Sequence, residues 1–356
     1  MSSDFRTRTA GAPWGWDDAH RRLHVAIVGA TGAVGLELAE LFVAAGHPLS
    51  RLDCLARKFG KLEVGNKSKL DVRPLESAQD AGGFEGIDLA FLCTPTELSR
   101  TLGPALSEFG VRVVDLSSAF RMRSDVPLVV PEINGKELDG GGRLFANPNC
   151  TTAIAALPLA VIEREFGLDE VLVVSYQAAS GAGAPGLATL EWERRRDAGL
   201  PGLGPEPKSP FVATLASNVI PAIAEVDERG ISGEEQKIQD ELRKILGRPD
   251  LVVESTTARV PVERCHSVAV HLRTKRDADP RRVRELLARA PGVHVTDDPH
   301  GPRPRECAGT DPVHVGRVRA GSRGSRSLCF FAVGDQLRKG AALNAFQIAA
   351  RLSVER

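Results

Sequence analysis

The chain of 356 residues predicts an α/β protein: a doubly wound parallel sheet, then an α+β domain, with the last helix returning to the first domain. Three observations predict it. A buried-strand pattern near the start runs through a glycine turn into an amphipathic helix. Strands and helices then alternate as far as residue 117, and near residue 150 the texture changes to strands separated by long connections. The length is comfortable for two cores, since domains usually hold roughly 100–200 residues.

The elements follow in order. Residues 1–21 are polar and lack apolar periodicity, despite Trp14 and Trp16, so they predict a loosely ordered extension. From Leu23 the run LHVAIVG reads as a strand, VGLELAELFVAAG as an amphipathic helix and RLDCLA as a second strand. Strand, turn, helix and strand within about 35 residues make a βαβ unit, which demands a parallel pair and a right-handed crossover. IDLAFLCT (strand), ELSRTLGPALSEFG (helix ending at Gly110) and VRVVDLS (strand) continue the alternation, which is that of a Rossmann-like nucleotide-binding domain.

The second domain begins with a helix at Cys150, a strand VLVVSYQ, and a Gly/Pro-rich stretch from Gly181 to Pro210 that predicts no regular element. A helix GEEQKIQDELRKIL, strands STTARVPV and HSVAVHL, and a short helix PRRVRELLARA come next. The last 18 residues, from Lys339, predict an apolar-faced helix packing back on the first domain. The expected boundaries are 1–21 for the extension, 22–149 with 338–356 for the cofactor domain, and 150–337 for the catalytic domain.

Composition narrows the function. Lys+Arg and Asp+Glu are both 46, so there is no electrostatic case for nucleic acid or an anionic membrane as partner. The six cysteines show no CxxC pair and no metal-ligand spacing, which predicts reduced intracellular thiols and no metal. The start carries no apolar leader, and the longest apolar-rich run, Thr152–Ile162, is too short for a bilayer. A cytoplasmic protein is the expectation.

The first turn reads Gly29-Ala30-Thr31-Gly32-Ala33-Val34-Gly35. Glycine serves where backbone turns sharply against a pyrophosphate, and the helix start then offers N–H donors and a positive dipole end. A dinucleotide is therefore the expected ligand. At the end of the second strand an acidic residue would select the ribose 2′-hydroxyl of NAD. This chain has Arg57 and Lys58 there, which suit a 2′-phosphate and favour NADP.

The segment Asn147-Pro148-Asn149-Cys150-Thr151-Thr152 leads straight into an apolar helix. A cysteine at a helix N-terminus has its thiolate stabilised by the dipole and by unpaired N–H groups, which should lower its pKa. Glu234 and Lys237 lie at i and i+3 and share a helix face, while Ser232 and Glu235 fit a capping box. Arg259 could pair bidentately with a carboxylate.

In order along the chain, GATGAVG, DLSSAFRM, VPLVVPEIN, NPNCTT, SYQAASGAG, EEQKI, ARVPVERCHS and GDQLRKGAA resemble the aspartate-β-semialdehyde dehydrogenase family, from about residue 22 onward. The resemblance implies NADP- and phosphate-dependent interconversion of L-aspartate 4-semialdehyde and L-4-aspartyl phosphate in amino-acid biosynthesis. Cys150 resembles the nucleophile that forms a thioester, His266 the acid/base titrating near neutrality, Gln177 the residue orienting the acyl-enzyme, and Asn149 a polar support. It further implies that Arg259 takes the substrate carboxylate and Glu234 the ammonium. Lys237 and Arg121 would meet phosphate. Ser180, Gly181 and Gln336 would touch the cofactor beside Gly29, Thr31, Gly32, Ala33, Val34, Gly35, Arg57 and Lys58. Members commonly form homodimers through the second domain.

Three positions depart from the family pattern: Cys265 stands where glycine usually precedes the histidine, Arg57-Lys58-Phe59-Gly60 replaces a Ser-x-Arg-Ser-like loop, and FLCTPTELS replaces a Ser/Gly-rich one. Cys265 so close to the site is expected to restrict the backbone and to be redox-sensitive. Two alternatives remain at this point: an N-acetyl-γ-glutamyl-phosphate reductase-like enzyme, whose nucleophile motif usually has glycine in place of Asn149, and a catalytically silent cofactor-binding relative.

Overall fold

A computed structural model of the chain describes residues 23–44, 49–65, 68–75 and 83–352. The extension expected over residues 1–21 lies outside the described residues. The chain divides into two compact units, one holding residues up to Pro148 and from Ala341 onward, the other holding Asn149–Gly340.

The first unit is built on seven strands: β1 His24–Val28, β2 Arg51–Ala56, β3 Gly60–Val64, β4 Ser68–Pro74, β5 Leu89–Leu92, β6 Arg112–Asp115 and β7 Leu144–Ala146. Their order is β3-β4-β2-β1-β5-β6-β7. All neighbours are parallel except β3 and β4, which pair antiparallel. Helices α1 Ala33–Ala44, α2 Thr96–Glu108 and the short α3 Pro131–Asn134 connect them. β1 and β5 are buried along nearly their whole length because both sheet faces are covered, which is why the sequence shows apolar runs there rather than alternation. The β3–β4 hairpin and β7 were not legible: GKLEV is a short, charged edge strand, and SKLDVRP beside it is charged and shows no apolar run.

The second unit has a six-stranded sheet in the order β11-β12-β13-β10-β8-β9. It contains α4 Cys150–Phe166, β8 Leu168–Gln177, α5 Gly183–Asp197, α6 Gly233–Leu246, β9 Val252–Arg259, β10 His266–Thr274, α7 Pro280–Arg289, β11 Val293–Val295, α8 Pro304–Cys307, β12 Val313–Ala320 and β13 Ser327–Gly334. The central strands β12, β13, β10 and β8 are antiparallel to one another, while β9 joins β8 and β11 joins β12 in parallel. Helix α4 lies against β8, β10, β12 and β13, and α6 packs on α4 and β9.

The stretch Gly181–Pro210, expected to be irregular, contains the 15-residue α5. Its glycines and proline sit in the first turn, where the missing N–H of Pro185 costs nothing, and the interior Leu-Ala-Thr-Leu-Glu-Trp-Glu is helix-competent. Only residues after Asp197 stay irregular. Past a short π-type turn over Arg338–Ala342, α9 Leu343–Arg351 returns to the first unit. There Phe346 meets Phe42 edge-on at 5.1 Å, and Phe42 meets Phe91 of β5 at 5.9 Å, so the last helix closes the core over the sheet. Among the described residues no helix is long and apolar enough to cross a membrane.

Candidate active site

In the first unit the glycine turn sits where the strand order reverses, between β1 and its neighbours β2 and β5. Gly29 and Ala30 donate to the carbonyl of Leu55 at 2.8 and 3.0 Å, tying the turn to the end of β2. Gly29 has φ +87°, and a β-carbon on it would lie 2.2 Å from the Cys93 carbonyl oxygen. On Gly35 a β-carbon would lie 2.3 Å from Gly29 O. Both positions admit only glycine, while Gly32 is looser at 3.3 Å. Thr31 and Gly32 are exposed at the tip and Ala33 and Val34 half-buried at the helix start, with no acidic residue in the first turn to repel a pyrophosphate. Arg57 and Lys58 follow β2 on the surface, in no ion pair among the described residues.

Arg121, also in the first unit, is buried. Its Nε donates to Asn147 O at 3.0 Å and its Nη2 to Leu116 O at 3.1 Å. Asn147 Oδ1 in turn accepts from Asn344 of α9 at 2.8 Å. The backbone leading to Cys150 is thus held by an arginine and by the returning helix.

In the second unit, Cys150 is the first residue of α4 and Asn149 its cap. Asn149 Oδ1 accepts from the N–H groups of Thr151 and Thr152 at 2.9 and 3.2 Å. These amides are therefore not left for the thiolate, contrary to the sequence expectation; the helix dipole and the charge of Arg259 remain to favour it. A β-carbon on Gly340 would come within 2.9 Å of Cys150 Cβ, so only glycine lets that segment run past the thiol.

Glu234 gathers the polar groups around this helix start. Its Oε1 accepts from Asn149 Nδ2 at 2.8 Å and from Gln177 Nε2 at 3.3 Å, and its Oε2 stands 3.5 Å from Lys237 Nζ. The shared face of Glu234 and Lys237 is therefore present, but Glu234 is only 7% exposed and is tied to the cap of the helix that Cys150 begins.

His266 begins β10 on the buried face that also carries Val268, Val270 and Leu272. The Ala178 N–H donates to its Nδ1 at 3.1 Å, which puts the proton of the neutral ring on Nε2. That Nε2 is buried without a partner among the described residues. Burial, and then the charge of Arg259, push the imidazole down to about 3. It is a neutral hydrogen-bond donor here, not a group titrating near neutrality, because an imidazolium would have to sit desolvated beside a cation.

Arg259 ends β9 and donates through Nη1 to the Ala178 carbonyl at 2.6 Å, with its guanidinium 5.9 Å from the Phe211 ring. Burial lowers its pKa and the Cys150 and Glu234 charges raise it again; a guanidinium stays charged throughout. A β-carbon on Gly181 would lie 2.6 Å from Arg259 Nη1 and 3.0 Å from His266 Cε1, so the Ser180–Gly181 backbone passes directly over both. Gln336 braces that loop: its Oε1 accepts from the Cys265 N–H at 2.7 Å and its Nε2 donates to Ser180 Oγ.

The second unit thus brings together Cys150, Asn149, Gln177, Glu234, Lys237, Arg259, His266, Ser180, Gly181 and Gln336, while Arg121, Arg57, Lys58 and the glycine turn belong to the first. Sequence reasoning missed Glu241, Gly340 and Phe211. Glu241 had a signal, lying seven residues after Glu234 and so on the same helix face. Phe211 and Gly340 had none, since only folding places them near Arg259 and Cys150. Among the described residues no group of His, Cys, Asp and Glu could hold a metal ion.

Residues 24–140 match the model of the semialdehyde dehydrogenase NAD binding domain, and residues 159–339 that of the semialdehyde dehydrogenase dimerisation domain. The aspartate-semialdehyde dehydrogenase of Synechocystis sp. is 38% identical over 340 residues, covering 94% of this chain and 98% of its own. That of Bacillus subtilis is 35% identical over 342 residues, covering 93% and 98%. The crystal structure of aspartate semialdehyde dehydrogenase II from Vibrio cholerae complexed with ASA matches with a TM-score of 0.85 at 33% identity, over 93% of this chain and 98% of that one. With two family domains in sequence, relatives of this identity over nearly the full length, and a shared fold, the chain belongs to the aspartate-semialdehyde dehydrogenase family.

Proposed function

We propose that this chain interconverts L-4-aspartyl phosphate and L-aspartate 4-semialdehyde through a thioester on Cys150, with NADP as cofactor and inorganic phosphate as co-substrate. The observation that carries the reading is the convergence on one helix start: Cys150 begins α4, its cap Asn149 and Gln177 both donate to Glu234, and the Gly181 backbone lies against Arg259 and His266.

In the reductive direction Cys150 Sγ, as the thiolate, attacks the acyl carbon of the acyl phosphate, the bond from that carbon to the phosphate oxygen breaks, and phosphate leaves with the bonding pair. Lys237 meets the phosphate oxygens, Arg259 the substrate carboxylate, and Glu234 the ammonium. The cofactor, when bound, supplies the hydride. His266 Nε2–H donates to the carbonyl oxygen as negative charge develops on it, a role that suits a neutral imidazole. Collapse of the resulting hemithioacetal breaks the C–S bond and releases the semialdehyde. Gly29 and Gly35, whose β-carbons would fill the turn, fit the approach of a pyrophosphate. Exposed Arg57 and Lys58 favour a 2′-phosphate over a bare ribose. Two copies pair through the second unit, whose sheet face away from α4 carries the partly exposed Leu172, Val174, Tyr176 and Phe331. The protein works in the cytoplasm.

The test follows reduced-nicotinamide absorbance with L-aspartate 4-semialdehyde, phosphate and NADP⁺. Phosphate-dependent turnover is expected, falling on the order of 10⁴-fold in C150S. The joint variant R57A/K58A should raise the KM for NADP⁺ and leave that for NAD⁺ unchanged. Turnover that survives C150S, or that does not need phosphate, would overturn the thioester reading; equal use of NAD⁺ would overturn the cofactor preference.

A further inference from the structure

Helix α6 offers two carboxylates to the start of α4. Glu234 and Glu241 lie seven residues apart, close to two helical turns, and so share the face of α6 that packs on α4. Glu234 takes the side-chain amide of Asn149, and Glu241 Oε2 accepts the backbone N–H of the same residue at 2.6 Å. Asn149 Oδ1 holds the amides of Thr151 and Thr152, and its carbonyl accepts from Ala153 at 2.9 Å. Each polar group of the residue before the nucleophile is therefore engaged, and Glu241 is 1% exposed, so solvent does not stand in for it.

The source of this last bond is informative. In a capping box the N–H of the cap is satisfied locally, by a Glu or Gln three residues on. Helix α6 has one: Glu235 Oε2 accepts from the Ser232 N–H at 2.7 Å. In α4 that position is Thr152, and its first turn holds no acidic residue. A carboxylate there would stand within the turn that Cys150 opens and would oppose a thiolate. Helix α4 instead draws its acceptor from another helix.

We infer that Glu241 is a positioning residue for the nucleophile, fixing Asn149, the residue before Cys150, through its backbone N–H and so setting the direction in which Sγ leaves the helix. The inference rests on the reading of Cys150 as nucleophile. Leucine at 241 keeps the bulk but leaves the Asn149 N–H buried without an acceptor, whereas glutamine restores an acceptor oxygen at the same reach.

The experiment compares E241L, E241Q and C150S as full-length protein, with turnover expressed per mole of enzyme that binds NADP. In E241L, kcat should fall on the order of 10²-fold, the scale of a small misplacement of a reacting group. The KM for NADP should stay within about threefold and E241Q should recover kcat to within about fivefold, the split expected of a lost transition-state arrangement. A merely stabilising Glu241 would lower the melting temperature and leave kcat per competent enzyme unchanged, and that result overturns the proposal. So does an E241Q as impaired as E241L. Should E241L fail to fold, E241D supplies the reading: its carboxylate is one methylene short of the amide, so reduced kcat with normal NADP binding supports the proposal and normal kcat overturns it. Undiminished turnover in C150S would instead sink the nucleophile reading, a separate outcome from either failure at position 241.

Discussion

Cys265 is held at φ +76°, a left-handed conformation in which a β-carbon crowds the backbone, and its side chain is 1% exposed. Its N–H is committed to Gln336, and the neighbouring His266 begins β10, so the conformation is imposed from both sides. The sequence expectation that a β-carbon there bears on the backbone corresponds to this strained φ. The expectation of redox sensitivity meets an obstacle. Burial, reinforced by the Asp335 charge, pushes this thiol well above the ordinary range, and Cys307 in the same apolar cluster is pushed up to about 11. Thiols so far from ionised are poor targets for peroxide. A stability comparison isolates the strain: C265G should be more stable than C265A by about 1 kcal/mol in denaturant melts, reversing the order found at negative φ. A C265A as stable as C265G or more so would show that the backbone strain is absent.

Helix α6 gathers more of the site than any other element, since it carries Glu234, Lys237 and Glu241, and its start is fixed by a complete capping box. Ser232 Oγ accepts from the Glu235 N–H at 3.3 Å, and Glu235 also receives the Thr257 N–H of β9 at 2.9 Å. Ser232 and Glu235 are both buried, so water cannot replace either partner. S232A should therefore cost about 1 kcal/mol of stability, a usual value for a lost cap. Because the cap orients the turn that carries Glu234, the KM for semialdehyde should also rise while NADP affinity holds. An S232A enzyme with native stability and KM would deny the cap both roles. This box was legible in Ser-Gly-Glu-Glu because its partners are adjacent in the chain. Helix α5 was not, since its glycines and proline read as breakers until their place in the first turn was known.

At the scale of the whole molecule, folding buries His266 and half-buries His314, and disfavours the charged form of each. His266 is driven down to about 3 by burial and then by Arg259, and His314 to about 4 by burial and then by His294. An unfolded histidine titrates near 6.5, so between that pH and the folded values the unfolded chain binds protons that the folded chain does not. Stability therefore falls as pH drops below about 6.5, and each histidine accounts for on the order of 1–2 kcal/mol by pH 5. Urea melts of H266Q and H314Q should show a shallower acid limb than the parent. Parallel limbs in parent and variants would mean that folding does not hold the histidines neutral. The interleaving of the two units is also a whole-chain property: the chain crosses at Pro148/Asn149 and again at Gly340/Ala341, and α9 supplies Phe346 and Asn344 to the first unit.

The sequence by itself determined what depends on neighbours along the chain. The βαβ alternation, the glycine turn, the helix starting at Cys150, the capping box of α6 and the order of family motifs all lie within short windows, where periodicity, φ requirements and capping chemistry act locally. Tertiary structure alone decided what depends on distant partners. The tautomer of His266 follows from Ala178, 88 residues away; the hold on Asn149 follows from Glu241, 92 residues away; and Gly340 and Gly181 are needed only because Cys150 and Arg259 come to lie against them. Charge state, close approach and the satisfaction of buried polar groups are set by burial and by what surrounds a side chain in space, and no local window contains them.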